Sequence, residues 1–153
     1  MDYVEVIEKL IKKGITISSC ESLTGGLFAS TISSIPGVSK IYKGSIISYA
    51  TEVKVNLLSI PQTVVDQFGV VSYQVGYLMA KRAREILNTD MAISFTGNAG
   101  PSVMEGKEVG LVYIGICYLD DCESHEFHFN GTREEIRKKC VEEAFKLISL
   151  KIN

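Results

Sequence analysis

The chain has 153 residues, of which 46% are hydrophobic and 22% are charged, and this composition is typical of one folded globular domain. A chain of about 150 residues buries roughly 68–70% of the surface it exposes when unfolded, so it needs no metal or disulfide to form a core. The 16 basic and 18 acidic side chains are interspersed and give a net charge of -2. No basic stripe is present for a phosphate backbone, which argues against nucleic acid as a partner.

The N-terminal residues and the cysteines indicate a cellular compartment. Residues 1–13 alternate apolar and charged side chains, unlike a secretory signal peptide, and no stretch reaches the ~20 apolar residues of a membrane span. The four cysteines at positions 20, 117, 122 and 140 form no Cys-x-x-Cys pair, so we expect reduced thiols. The sequence therefore predicts a cytoplasmic protein without a membrane partner.

Hydrophobic periodicity predicts alternating helices and strands in the first half of the chain. In chain order these are a helix over 4–11, a strand over 15–20, a helix around 28–32, a strand over 41–50 and a short helix over 52–58. Gly14 follows two lysines and is expected to end the first helix. A tight turn connects the first strand to the second helix.

The second half continues the alternation and ends in a helix. The predicted elements are a helix over 73–87, a strand over 91–96, a hairpin of 109–119 with 125–129, and a helix over 132–150. Ser72 is the expected N-cap of the first of these helices, and Thr132 with Glu135 forms a capping box for the last. The pattern predicts a single α/β domain over residues 1–153, with three α/β/α layers and a mixed sheet of about five strands. Ligands are then expected beyond the strand ends.

The strongest chemical candidate is the segment 21–26, which reads Glu-Ser-Leu-Thr-Gly-Gly between a predicted strand and a predicted helix. A serine at such a turn, Ser22, exposes its hydroxyl close to free backbone N–H groups, which can hold an oxyanion or a phosphate. The alternative is structural: Ser22 or Thr24 caps the helix, and the glycines ease packing. Spacing alone favours the capping role.

A nucleophilic serine needs a base, and neither a Gly-x-Ser-x-Gly nor a Ser-x-x-Lys motif identifies one. His125 and His128 lie far along the chain in the predicted hairpin, which does not exclude them. Lys54 follows the second strand, and helical spacing points it back toward that strand's end. A lysine with an ordinary pKa of ~10.4 is neutral in about one molecule in 2,500 at pH 7, so burial would have to lower its pKa toward ~7–8. Alternatively, Lys54 is a solvated helix lysine, which is the more common case.

Two other motifs are rejected. The residues with the chemistry of metal ligands are Asp120, Asp121, Cys122, His125 and His128. Successive side chains of a strand point to opposite faces, so the two histidines diverge and we do not expect a metal site. Residues 100–107 resemble a phosphate-binding loop, but the spacing is one residue too long, and Glu108 stands where Ser or Thr is required.

Ordered motifs over nearly the whole chain resemble the CinA C-terminal domain family. The family's Glu-Ser-Cys-Thr-Gly-Gly is matched by residues 21–26, with Leu23 in the cysteine position, and its Tyr-Ser-Asn-Glu-x-Lys is matched by residues 49–54. The further matches are Pro36-Gly37 with a Pro-Gly turn, residues 69–72 with Gly-Ala-Val-Ser, residues 96–101 with Thr/Ser-Gly-x-Ala-Gly-Pro, and residues 129–133 with Phe-x-Gly-x-Arg. Motifs in this order are difficult to obtain by chance.

Characterised members of this family are nicotinamide-nucleotide amidohydrolases, so the resemblance implies hydrolysis of the carboxamide of nicotinamide mononucleotide. It implies Ser22 as nucleophile, Lys54 as general base and Tyr49 as a nearby hydroxyl, with no metal or organic cofactor. It also implies that backbone N–H groups around Thr24 and Gly25 stabilise the oxyanion. The residues that it implies around the substrate are Glu21, Thr24, Gly25, Gly26, Thr96, Gly97, Gly100 and Arg133. The partner is then a small nucleotide substrate, and characterised relatives imply a homodimer.

The chain departs from the family pattern at two places. Ala50-Thr51 replaces Ser-Asn, and residues 102–108 form a shorter and bulkier loop than the family's glycine-rich stretch. If this loop lines the pocket, nucleotide affinity is reduced or the preferred substrate is changed. The alternatives are therefore an amidohydrolase of another small substrate, or a nucleotide-binding regulatory domain without turnover, linked to competence or the damage response.

Overall fold

A computed structural model describes residues 1–153 and contains a five-stranded mixed sheet between two layers of helices. The strands are β1 (Ile17–Glu21), β2 (Tyr42–Ile47), β3 (Met91–Gly97), β4 (Leu111–Tyr118) and β5 (Asp121–His128). The helices are α1 (Tyr3–Lys13), α2 (Leu27–Ser33), α3 (Thr51–Asn56), α4 (Gln62–Phe68), α5 (Tyr73–Leu87) and α6 (Arg133–Ile152), with a short 3-10 helix at Val38–Lys40. The predicted three-layer α/β fold is confirmed.

The strand order brings three chain segments together at one end of the sheet. The order is β2-β1-β3-β4-β5, in which β1 is parallel to both of its neighbours and β4 is antiparallel to both β3 and β5. Because β2, β1 and β3 run in the same direction, their carboxyl ends meet. Residues 22–26, 48–50 and 98–100 leave the sheet there, which is where ligands bind in open α/β sheets.

Two apolar cores cover the two faces of the sheet. The larger core joins α1, α2 and α6 to the sheet and contains the neighbouring rings of Phe28, Phe95 and Phe145. The smaller core packs α5 against the other face through residues such as Val75 and Met79. None of the helices combines the length and the apolar character that crossing a membrane requires.

Capping residues determine where several helices begin and end. Gly14 ends α1 in the left-handed conformation, with φ 67°, and the Ser72 hydroxyl accepts from Val75 N–H at the start of α5. The predicted capping box of Thr132 and Glu135 is present at α6. Helix α4 was not predicted because none of its residues is fully buried, so its sequence carries no clear apolar stripe.

The cysteine prediction was wrong for one pair. In the β4–β5 hairpin, Cys117 lies directly opposite Cys122, and the two form a disulfide. The search for a Cys-x-x-Cys motif considers only short spacings along the chain. The antiparallel register of β4 and β5 instead places Cys117 beside Cys122, five residues further on. Cys20 and Cys140 are buried free thiols, as predicted.

Candidate active site

Ser22 is the first residue after β1 and begins a tight turn. Its N–H donates to Phe95 O of the adjacent strand at 2.9 Å, which fixes the start of the turn to the sheet. Gly25 and Gly26 have φ values of 55° and 106°, a left-handed region that glycine enters without a Cβ penalty. The chain then enters α2 at Leu27, so the predicted strand, turn and helix around the serine are confirmed.

Lys54 reaches Ser22 from the short helix α3. Its side chain is only 1% exposed, so the alternative of a solvated lysine is excluded. The Nζ atom lies 2.9 Å from Ser22 Oγ, 2.6 Å from Ser48 O and 3.2 Å from Tyr49 O. Both carbonyl oxygens can only accept. In the neutral amine, two N–H bonds therefore satisfy the carbonyls, and the lone pair is left for the serine hydroxyl.

Burial shifts the protonation equilibrium of Lys54 toward the neutral amine. Burial lowers the pKa of Lys54 to about 8, because the ammonium form loses its hydration. The Cys20 thiol does not oppose this at neutral pH, since burial raises the pKa of Cys20 to about 11 and keeps it uncharged. The Glu105 carboxylate raises the pKa of Lys54, but by less than burial lowers it. With a pKa of about 8, roughly one molecule in ten carries the free base at pH 7. A general base near this value suits proton transfer at neutral pH.

Two backbone N–H groups next to Ser22 have no acceptor. Gly25 N–H donates to Ser22 O at 3.0 Å and Gly26 N–H donates to Glu21 Oε1 at 3.1 Å, whereas the N–H groups of Leu23 and Thr24 donate to nothing in the protein. The Thr24 hydroxyl is also buried without a partner. The Gly25 N–H is thus already paired, and the free donors beside the nucleophile are those of Leu23 and Thr24, which are suited to a developing negative charge.

A cavity of about 210 Å³ opens over Ser22. Its wall consists of Ser22, Leu23, Tyr49, Gly97, Asn98, Ala99, Ser102, Val103, Met104 and Arg133. A second depression, lined in part by Gly100, adjoins it through the shared residues Ala99 and Arg133. The sequence-derived candidates Ser22, Tyr49, Gly97 and Arg133 therefore meet at one cavity, with Lys54 buried behind the serine.

Arg133 is the first residue of α6, and its side chain reaches the cavity, where two hydrogen bonds fix the guanidinium. Its guanidinium donates to Gly100 O at 2.8 Å and to the Tyr49 hydroxyl at 3.0 Å. Tyr49 is 59% exposed, so this pair lies at the rim. A guanidinium at the mouth of a cavity can bind a carboxylate or a phosphate.

Three other candidate residues occupy supporting positions away from the cavity wall. Glu21 is fully buried, and its carboxylate accepts from the N–H groups of Phe28 and Ala29 at the start of α2. Gly26 completes this cap through its own N–H. Thr96 donates its hydroxyl to Val70 O at 2.7 Å and is buried. These side chains stabilise the turn and the strand end, because their polar groups are already paired inside the fold.

The loop after Gly97 is held by hydrogen bonds of Asn98 and Glu105, two residues that were not among the predicted site residues. Asn98 accepts from Met104 N–H and donates to the carbonyls of Met104 and Lys107. Glu105 accepts from Val70 N–H at 2.8 Å and from Val71 N–H at 3.1 Å. The loop backbone is therefore fixed, while the side chains of Val103 and Met104, each nearly half exposed, form part of the cavity wall.

The two histidines have partners of their own, far from Ser22. His128 contacts Glu108 and Glu126, and His125 contacts Glu123. Both lie on β5, as the predicted hairpin requires. Neither contacts Ser22, so Lys54 alone of the three candidates is in position to act as its base.

Comparison with known proteins agrees with the motifs. A model of the CinA C-terminal domain matches residues 3–152, and the chain belongs to this family. It is 42% identical over 149 residues to a putative competence-damage inducible protein of Lactiplantibacillus plantarum, covering 97% of this chain and 36% of the relative. A protein of Bacillus subtilis with the same name is 44% identical over 128 residues, covering 84% and 31%. The chain thus spans about a third of the length of these curated relatives.

Solved structures have the same fold. The competence/damage inducible protein CihA of Agrobacterium tumefaciens aligns with a TM-score of 0.90 and 29% identity, covering all of this chain and 96% of that one. A CinA superfamily protein of Klebsiella pneumoniae aligns with a TM-score of 0.94 at 23% identity, covering 99% and 98%. The second likeness concerns the fold alone.

Proposed function

We propose that the chain hydrolyses the carboxamide of nicotinamide mononucleotide, giving nicotinic acid mononucleotide and ammonia. The single observation that carries the proposal is the contact of 2.9 Å between the buried Lys54 Nζ and Ser22 Oγ. A serine hydroxyl beside an amine that is readily deprotonated is an activated nucleophile. The family resemblance indicates the substrate.

The reaction proceeds in two halves on the same residues. Neutral Lys54 removes the hydroxyl proton as Ser22 Oγ attacks the carboxamide carbon, and the N–H of Leu23 donates to the oxyanion, with that of Thr24 as a second donor. The Lys54 ammonium then protonates the departing nitrogen, and ammonia leaves an ester on Ser22. Water attacks this ester with Lys54 again accepting a proton, and the carboxylic acid is released while Ser22 regains its hydrogen.

The cavity suits the two ends of such a substrate. The apolar side chains of Leu23, Val103 and Met104 can contact the flat faces of the pyridine ring beside Ser22. Arg133 stands at the rim between the cavity and the adjoining depression of about 410 Å³, where it can bind the phosphate. The carboxamide then lies at the nucleophile and the nucleotide extends outward.

The test is ammonia release from nicotinamide mononucleotide by the purified protein. We expect turnover that survives a chelator and falls at least a thousandfold in both Ser22→Ala and Lys54→Ala. Lys12→Ala, on an exposed face of α1, is the matched lysine control and should retain full activity. An absence of ammonia release from folded wild-type protein would overturn the substrate assignment.

A second candidate is hydrolysis of a different small amide. The specific observation in its favour is the bulky Val103-Met104 pair, which narrows the cavity where the family pattern has glycines. A panel of aromatic and aliphatic carboxamides, run beside nicotinamide mononucleotide, distinguishes the two. Higher kcat/KM on another amide, with the same loss in Ser22→Ala, would favour this second function.

A further inference from the structure

Arg137 contacts the nucleophile turn from α6, although it lies outside the cavity and outside the family motifs quoted above. Its Nε donates to Leu23 O at 3.0 Å and its Nη2 donates to Thr24 O at 2.8 Å. One guanidinium therefore binds the carbonyls of the two residues that follow Ser22. Two parallel donors from a planar group fix both the position and the orientation of what they bind.

A chain of hydrogen-bonded peptide groups runs from Arg137 to the cavity. In a trans peptide the C=O and the N–H point in opposite directions. Arg137 holds Thr24 O, and at the other end of that peptide group Gly25 N–H donates to Ser22 O at 3.0 Å. The next peptide group ends in the N–H of Leu23, a residue of the cavity wall, and this N–H has no acceptor.

We propose that Arg137 is a positioning residue that, through the Thr24–Gly25 and Ser22–Leu23 peptide groups, holds the N–H of Leu23, the first of the two oxyanion donors of this site. The inference rests on the proposed amide hydrolysis for its kinetic consequence. Each hydrogen bond in such a chain polarises the next, so the positive charge strengthens the final donor as well as orienting it. Arg137 itself touches neither the substrate nor Ser22 Oγ.

The same contacts explain why lysine is not an equivalent residue at position 137. A lysine ammonium carries the charge but lacks the rigid fork that spans two consecutive carbonyls. Arg137→Lys is thus expected to keep the fold and lose part of the orientation, and Arg137→Ala to lose both charge and orientation. Lys138→Ala, on the next residue of α6 and exposed, is the matched control for removing a positive charge.

The first measurement needs no substrate. Hydrogen exchange at individual amides of Arg137→Ala should be at least tenfold faster than wild type at Gly25 N–H, whose acceptor is Ser22 O, and unchanged in β1 and β3. Lys138→Ala should match wild type throughout. Unchanged exchange at Gly25 in Arg137→Ala would overturn the proposal, whatever the enzyme's activity.

The second measurement is kinetic and compares nicotinamide mononucleotide with its thioamide analogue. Loss of one oxyanion donor costs about 10²–10³ in kcat, so a misoriented donor should cost about 10–100-fold in Arg137→Ala at nearly unchanged KM. The variant should also lose most of the preference for oxygen over sulfur, and millimolar guanidinium should restore both. A merely structural role would leave the preference unchanged, and that result would also overturn the proposal.

These two measurements separate the possible failures. If wild-type protein releases no ammonia, the proposed function fails, while the exchange at Gly25 still decides whether Arg137 orders the turn. If wild type is active and Arg137→Ala keeps wild-type kcat and oxygen preference, the proposed function stands and the role of Arg137 is overturned.

Discussion

At the scale of single residues, the site depends on one amine in an unusual environment. Lys54 is buried, and its two carbonyl partners can only accept hydrogen bonds. The fold therefore holds its lone pair toward Ser22 whenever the proton is absent. The pH at which that proton leaves should be visible in the kinetics.

We predict that kcat/KM rises with pH through a midpoint near pH 8 and levels off above about pH 9. Only neutral Lys54 can accept the serine proton, and burial lowers its pKa to about 8, so the active fraction grows about tenfold between pH 6 and pH 7. Ammonia release measured from pH 6 to pH 9.5 gives the midpoint, with thermal unfolding at each pH as the control. A flat profile, or a midpoint near 10.5, would contradict the assignment of Lys54 as base.

A substitution at Met104 tests whether the cavity wall contributes to substrate binding, because Met104 takes no part in the proton transfer between Ser22 and Lys54. Replacing it with alanine removes apolar surface from the ring's expected position, while Asn98 still holds the Met104 backbone. We expect KM for nicotinamide mononucleotide to rise about tenfold with kcat nearly unchanged, because about 1–1.5 kcal/mol of apolar contact is lost. Leu119→Ala, equally exposed but remote from the cavity, is the control. An unchanged KM would mean that the ring binds elsewhere.

At the scale of elements, the sequence predicts the helices and strands better than the hydrogen bonds that connect one segment to another. Helix α5 is predicted at its observed bounds because Ser72 caps it and its apolar stripe is regular. Lys54 is found because a short helix after a strand returns its side chain to the strand's end. Asn98, Glu105 and Arg137 are missed because each acts through backbone atoms of another segment, and no local pattern marks which carbonyl or N–H a polar side chain will reach.

The β4–β5 hairpin gives a prediction at the same scale. Its disulfide joins residues only five apart and the hairpin does not contribute to the cavity wall, so reduction should lower the free energy of unfolding by about 2 kcal/mol and leave ammonia release unchanged. Urea unfolding with and without a reductant measures the first effect, and a Cys117→Ser, Cys122→Ser double variant controls for other thiols. Loss of activity on reduction would show that the hairpin and the site are coupled.

At the scale of the whole molecule, the buried Lys54 lowers the free energy of unfolding. Its pKa in the unfolded chain is near 10.5 and in the fold about 8, so the unfolded state binds more protons between these values and stability rises with pH across that window. Below pH 8 the full penalty of about 3 kcal/mol applies. The reaction therefore requires a group that the fold would otherwise exclude.

We accordingly predict that Lys54→Met abolishes ammonia release and raises the free energy of unfolding by about 1 kcal/mol at pH 7. The gain is smaller than the full penalty because the carbonyls of Ser48 and Tyr49 lose a donor. Urea unfolding at pH 7 and at pH 10 measures it. At pH 10 most of the Lys54 penalty has disappeared, so the gain should turn into a loss of about 1 kcal/mol. Lys12→Met, on the exposed face of α1, is the control. A marked destabilisation by Lys54→Met at pH 7 would contradict this account.

The use of main-chain oxygens to hold Lys54 affects how the sequence can change over time. Backbone carbonyls are supplied by every residue type, so the side chains at positions 48–51 can vary without removing the amine's acceptors. Ala50-Thr51 already differs from the family's Ser-Asn while the contacts from Ser48 O and Tyr49 O are intact. Positions 50 and 51 are therefore open to mutational drift, and selection there should act on the path of the backbone more than on the identity of the residues. Tyr49 is the exception, because its hydroxyl accepts from Arg133 at the cavity rim.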